Sequence, residues 1–182
     1  MVLDTAKIAS MTDALEGLLV KYCTEAEVLD STMLVTEDLV SKWEEMVPEY
    51  MNDAVHQFND YPEFTLACAA YAGMAMANCW DIDWEKYGSL PYGSLQGPNG
   101  FDDMDDYIVS EFLGMTPGEG EAATLANLMA ACASEAKKAI RRESFEPGSR
   151  EALLAIASVA GLMFRLGASI HLRSLGYSWS KE

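Results

Sequence analysis

From residue 64 to residue 80 the chain carries no charged side chain. The run FTLACAAYAGMAMANCW is too long for an ordinary strand and makes about five helical turns. A helix that is apolar on every side has to be surrounded by protein. Ala67, Ala69, Ala70, Ala72, Gly73, Ala75 and Ala77 give it a surface that neighbouring backbones can approach closely. Any fold open to this chain must therefore wrap its other elements around this one. In DYPE, Asp60 reads as an N-cap, Pro62 as the first helical position and Glu63 as the capping-box partner. The helix is predicted to run on to Tyr87, with Gly88 as a left-handed stop.

The other segments show helical periodicity as well. Apolar residues at 11, 14, 15, 18, 19, 22, 26 and 29 recur at three and four, predicting an amphipathic helix from Asp4 or Thr12 to Leu29. Thr36 followed by Glu37 and Asp38 is a helix start, with a capping oxygen and two acids at the positive end of the dipole. Leu39, Val40, Trp43 and Val47 are its buried stripe, and Pro48 predicts a kink or short break before Tyr50, Met51, Ala54, Val55 and Phe58 continue inward. Residues 101–113 form a shorter helix closed by Gly114, and residues 119–142 a long one ending in Lys137, Lys138, Arg141 and Arg142. After EPGS, Ser149 caps a last helix ending near Leu175 and Gly176, and so short a link predicts that the last two long helices are antiparallel neighbours. No segment alternates apolar and polar residues over a strand's length. The expected fold is all-α: a single domain over residues 1–182, a bundle of about four long helices with two or three shorter ones. YAGMAM at 71–76 and VAGLMF at 159–164 are alike, over too short a run to be a repeat.

Charge narrows the partners. Of the net charge of −17, residues 1–117 hold −18 and the remainder +1. Such a surface repels nucleic acid and anionic lipid, so neither is an expected partner. Residues 64–80 and 152–164 both fall short of the roughly 20 apolar residues of a bilayer span. Extending the second to residue 172 would bury Arg165, which costs about 2.5 kcal/mol at mid-bilayer. The first ten residues lack the basic and apolar regions of a signal peptide. Cys23, Cys68, Cys79 and Cys132 lie far apart within helical patterns and read as reduced, buried small hydrophobes. The expected compartment is the cytoplasm.

Candidate chemistry concentrates around one loop. GSLPYGSLQGPNG, residues 88–100, is long for a helical domain, and loops of that length are functional or disordered. Its four glycines and two prolines preset a shape, and Tyr92 and Gln96 are its expected ligand-reaching side chains. Acids flank it: Asp81, Asp83 and Glu85 before, Asp102, Asp103, Asp105 and Asp106 after. At about 100° per residue Asp102 and Asp106 lie about 40° apart on a helix, within reach of one hard cation such as Mg²⁺ or Ca²⁺. The spacing is that of the DDxxD segment with which helical isoprenoid synthases hold magnesium diphosphate. The match ends after five residues, however, and Phe101, Met104, Ile108 and Phe112 form an apolar stripe that turns Asp102, Asp103 and Asp106 toward solvent. Asp81, Asp83 and Glu85 fail as a calcium loop, with Lys86 where glycine is needed and Tyr92 where glutamate is needed. A cation site remains conceivable only if the loop folds back and joins Asp81 to Asp102, Asp103 and Asp106.

Asp53 and His56 have the i, i+3 spacing of helical metal sites but lack the second pair that a di-iron bundle requires. Glu151, Ser158, Arg165, Ser169 and Arg173 make a narrow polar stripe on the last helix, with His171 off it as a core histidine or, alternatively, a pocket histidine. The basic columns Lys137/Arg141 and Lys138/Arg142 read as dipole compensation or as partners for the acidic first half of this or another subunit. The functional expectation is a helical binding or interaction module without enzymatic activity. The alternative is a divalent-metal-dependent hydrolase of phosphorylated small molecules using the acids around the loop. Trp43, Tyr50, Phe58, Tyr61, Tyr92, Tyr107 and Trp179 lie near element ends, as interface aromatics do, and predict a homo-oligomer or protein partner.

Overall fold

The computed structural model describes residues 4–179, all of whose regular structure is helical. Six α-helices follow in order: α1 (Thr5–Glu25), α2 (Glu37–Gln57), α3 (Pro62–Tyr87), α4 (Met104–Glu111), α5 (Gly120–Arg142) and α6 (Arg150–Ser174). Two 3-10 turns, Tyr92–Leu95 and Phe101–Asp103, lie between α3 and α4. The expected all-α bundle is the architecture observed.

α3 is the axis. Every residue from Thr65 to Ala77 is buried, and α2, α4, α5 and α6 all pack on it. Its closest neighbour is α6, and small residues decide how close. A side-chain carbon on Gly73 would sit 2.0 Å from the Phe164 carbonyl oxygen, and one on Gly167 would sit 1.9 Å from that of Ala70. The two backbones therefore touch, which only glycine at both positions permits. Gly161 makes room for a side chain instead of a backbone. A side-chain carbon there would lie 2.9 Å from Nε1 of Trp43, whose ring packs on Phe164. The likeness of residues 71–76 to 159–164 thus has no structural counterpart at its glycines.

The polar stripe of α6 is the seam on which α1 docks. Ser158 shares a 2.8 Å hydrogen bond with Thr12, Arg165 reaches Glu16 at 2.8 Å, and Arg173 donates to the Glu27 carbonyl at 2.7 Å. Buried Ser169 accepts from the Leu34 amide at 2.9 Å and fastens the α1–α2 connection. Polar groups withdrawn from water must be paired, and this seam pairs them. α6 is also long and apolar enough to cross a membrane by length and composition, Arg165 notwithstanding. Most of that face is instead packed against α3.

Several local expectations need correction. Of the kink or short break expected at Pro48, the break does not occur: α2 runs through it as one helix. The N-cap of α3 is Tyr61 rather than Asp60, and it makes no side-chain cap; Pro62 does occupy the first position. Gly88 has φ −63, so it is no left-handed stop; a side-chain carbon there would lie 2.9 Å from the Trp84 indole. α3 bends instead at Asp83, whose extended backbone interrupts the helix while its carboxylate caps the last turn from Lys86 N at 3.2 Å. α5 and α6 do touch near their turn, but each packs more extensively on α3. Caps behaved as expected at Thr36, which accepts from Leu39 N, and at Ser149, which accepts from Ala152 N.

Candidate ligand-binding groove

The loop at 88–100 is an ordered plug. Tyr92 is 3% exposed and Leu95 fully buried; the Tyr92 ring meets Tyr50 edge-on at 6.4 Å, and its hydroxyl lies 3.8 Å from the Met104 sulfur. Burial pushes the Tyr92 phenol far above its ordinary range, as expected of a core tyrosine. Gln96 donates to Asp53 at 2.6 Å, Asn99 to Asp103 at 3.0 Å, and the buried Lys42 ammonium to the Leu90 carbonyl at 2.6 Å. Gly97, at φ +71, lies against the Tyr107 ring, 2.3 Å from where a side-chain carbon would stand. Tyr92 and Gln96 do border one open recess with Pro48, Glu49, Asn52 and Asp53. Tyr92 is a core residue rather than an outward-reaching one, while Gln96 stands half-buried at that recess with its amide engaged by Asp53.

The acids separate. Asp102 and Asp106 are exposed and Asp103 half-buried, while Phe101, Met104 and Ile108 face the core, as the stripe required. Asp105, not singled out from sequence, is the desolvated member: burial raises its pKa, with Asp106 and Asp103 adding repulsion. This helix lies beside Cys68 and Tyr71, whose thiol and phenol feel Asp105. Asp81 is about 15 Å further along α3 at 1.5 Å per residue, and accepts from the Tyr177 hydroxyl at 2.8 Å. Among the described residues no three His, Cys, Asp or Glu side chains converge as a metal site. Asp81, Asp102, Asp103 and Asp106 therefore do not form the joint cation site. His56 is exposed, and Asp53 pairs with Gln96 rather than with it.

A different region has the form of a binding site. Where α3, α5 and α6 diverge, and the α4–α5 connection crosses between them, lies a groove of about 730 Å³. Met74 and Ile170 are its buried wall; Leu113, Met115, Leu125 and Leu128 are half-buried around it. Gly114, with φ +66, turns the chain so that Leu113 and Met115 both reach it. Polar groups are few: Glu121, Thr124, His171 and Ser174. His171 Nε2 stands 3.1 Å from Asn78 Oδ1, and burial lowers the histidine's pKa while Asp81 opposes the shift. Burial thus favours the neutral imidazole, and in the tautomer that donates Nε2–H to Asn78 Oδ1 its Nδ1 is an acceptor. Volume, apolar lining and sparse polar groups are those of small-molecule sites.

No protein-family model matches this chain, and neither a curated protein nor a solved structure is significantly similar to it.

Sequence reasoning had raised a pocket histidine at 171 only as an alternative and had missed Asn78, Leu113, Met115, Leu125 and Leu128. The available signal was the width of the apolar face on α5. Leu125 and Leu128 lie beside the Ala122, Met129, Cys132 and Ala133 stripe and widen it beyond what one neighbouring helix covers. The cysteines, far apart in sequence, meet once: Cys23 and Cys132 sulfurs are 3.7 Å apart where α1 faces α5, and all four thiols are free and buried.

Proposed function

We propose that the protein is a helical binding module whose groove between α3, α5 and α6 takes a small apolar molecule carrying one hydrogen-bond donor. The observation that carries this reading is the apolar groove of about 730 Å³ with His171, paired to Asn78, at its side. Leu113, Met115, Leu125 and Leu128 would supply the burial energy, and His171 Nδ1 and Ser174 the orienting contacts. The acids around residues 88–100 lack a common focus, so the metal-dependent hydrolase has less support than the binding module. Free thiols favour a reducing compartment, the cytoplasm, as the setting. Self-association is part of the proposal, on a revised footing. Trp43, Tyr50 and Tyr92, expected near an interface, are core residues, whereas Leu18 and Tyr22 are exposed one turn apart on α1.

A neutral solvatochromic dye such as Nile red tests the groove, because the protein's charge would repel an anionic probe. Saturable binding with a blue-shifted emission is expected. Leu125→Glu should weaken it at least about tenfold, since an ionised carboxylate is costly on an apolar wall, while the far-ultraviolet circular dichroism stays that of the parent. Unchanged dye affinity in folded Leu125→Glu would move the site elsewhere.

A further inference from the structure

Beyond α6 the chain turns at Gly176, φ +99, and residues 177–179 lie across α3 and the α1–α2 connection. Tyr177 meets the Trp80 ring at 5.4 Å and 64°, so the two rings form a corner. Trp179 is tied down by its indole N–H, which donates to the Met33 carbonyl at 2.7 Å. Together with Leu34, Val35 and Leu172 these three aromatics line a recess of about 140 Å³, in which Thr36 and Ser178 are the polar members and no charged side chain among the described residues stands in the wall. Trp179 is 61% and Tyr177 40% exposed, an unusual use of large aromatic side chains that packing alone does not require.

Charge stands just outside. The Trp80 indole N–H donates to Asp38 at 3.1 Å and the Tyr177 hydroxyl to Asp81 at 2.8 Å. The polar edges of both rings are thereby engaged, and what they leave to the recess is ring carbon and π-surface, beside the Thr36 and Ser178 hydroxyls and near two carboxylates. Aromatic faces attract a cation through their quadrupole, indole most strongly. A primary ammonium would find at most the Thr36 and Ser178 hydroxyls, and no charged partner among the described wall residues, for its three N–H donors, whereas a methylated ammonium needs none.

We propose that Trp80, Tyr177 and Trp179 form an aromatic cage for a small, soluble quaternary ammonium compound of the choline type, with Asp38 and Asp81 supplying the complementary field. The size of the recess suits such a headgroup, being well below the roughly 300–1,000 Å³ that holds a drug-sized ligand. No strand edge among the described residues offers the backbone pairing by which extended peptides are held. The occupant is therefore the free cation. This site is separate from the α3–α5–α6 groove, and neither reading depends on the other.

Calorimetric titration with choline chloride and with tetramethylammonium chloride, at constant ionic strength, is the test. One saturable site is expected, with the uncharged choline isostere 3,3-dimethyl-1-butanol binding at least about tenfold more weakly. Trp179→Ala and Tyr177→Leu should each lower choline affinity about tenfold, and Asp81→Asn several-fold, with Nile red binding in the groove unchanged. Equal affinity for the uncharged isostere, full affinity in Trp179→Ala, or absence of saturation up to about 0.1 M choline would each overturn the proposal. So would binding of a trimethyllysine peptide by a protein that ignores free choline, which would make the cage a protein-docking site.

Discussion

Two glycines let the backbones of α3 and α6 meet. With 2.0 Å and 1.9 Å between their would-be side-chain carbons and the opposing carbonyl oxygens, Gly73 and Gly167 leave no room for a methyl group. The opposing atoms are backbone, so no rotamer change relieves the clash. Gly73→Ala and Gly167→Ala should each cost about 3 kcal/mol, the upper end of the overpacking range, measured by urea denaturation. Parent-like stability would show that α3 and α6 can part freely. His171 makes a second residue-scale prediction. Its folded pKa is lowered by burial, so the unfolded chain binds the proton more readily. The stability it contributes is complete above its unfolded value of about 6.5 and is lost as pH falls below that. A melting temperature that declines between about pH 6.5 and 5, less steeply in His171→Gln, is the expected outcome; identical slopes would remove His171 as the cause.

Among the elements, the segment at 88–100 shows where sequence reasoning stops. Its glycines and prolines mark a shaped loop, and the direction in which it faces is not legible in them. A tyrosine in a polar loop looks like a ligand contact until the space beneath it is known. Here Tyr50, Met104 and Phe101 leave a cavity that Tyr92 and Leu95 fill. Replacing the loop with a Gly-Ser linker should therefore destabilise the fold by about 3–6 kcal/mol, from the loss of two buried side chains at roughly 1.5–3 kcal/mol each. The slow growth of closure entropy with loop length would have left stability nearly intact had the loop been a mere connection. Denaturation midpoints of the parent and the linker variant decide between the two. Pro48 is the opposite case. The local rule allows a kink or a short break in α2, and the packing of Trp43, Met46, Tyr50 and Ala54 on one continuous buried stripe holds the helix through it.

At the scale of the whole molecule, charge and helix patterning act together. Residues 1–117 carry −18, and most of these acids remain at the surface, so the folded state works against its own repulsion. Raising NaCl from about 20 to about 500 mM shortens the screening length from tens of ångströms to a few, and the melting temperature should rise by several degrees. A flat response would mean that the acids are locally compensated. Light scattering across the same salt series tests self-association through Leu18 and Tyr22, whose Tyr22→Glu variant should be monomeric if they form the contact. The sequence alone determined the helices, the central place of α3 and the outward turn of Asp102 and Asp106, because each follows from periodicity and burial within one segment. Only the tertiary structure decided which helices meet at Gly73 and Gly167, that Tyr92 turns inward, that Asp81 stands apart from the other acids, and that an apolar groove opens beside His171. Those outcomes depend on the space left between segments distant in sequence, and no single segment carries a record of what its neighbours leave uncovered.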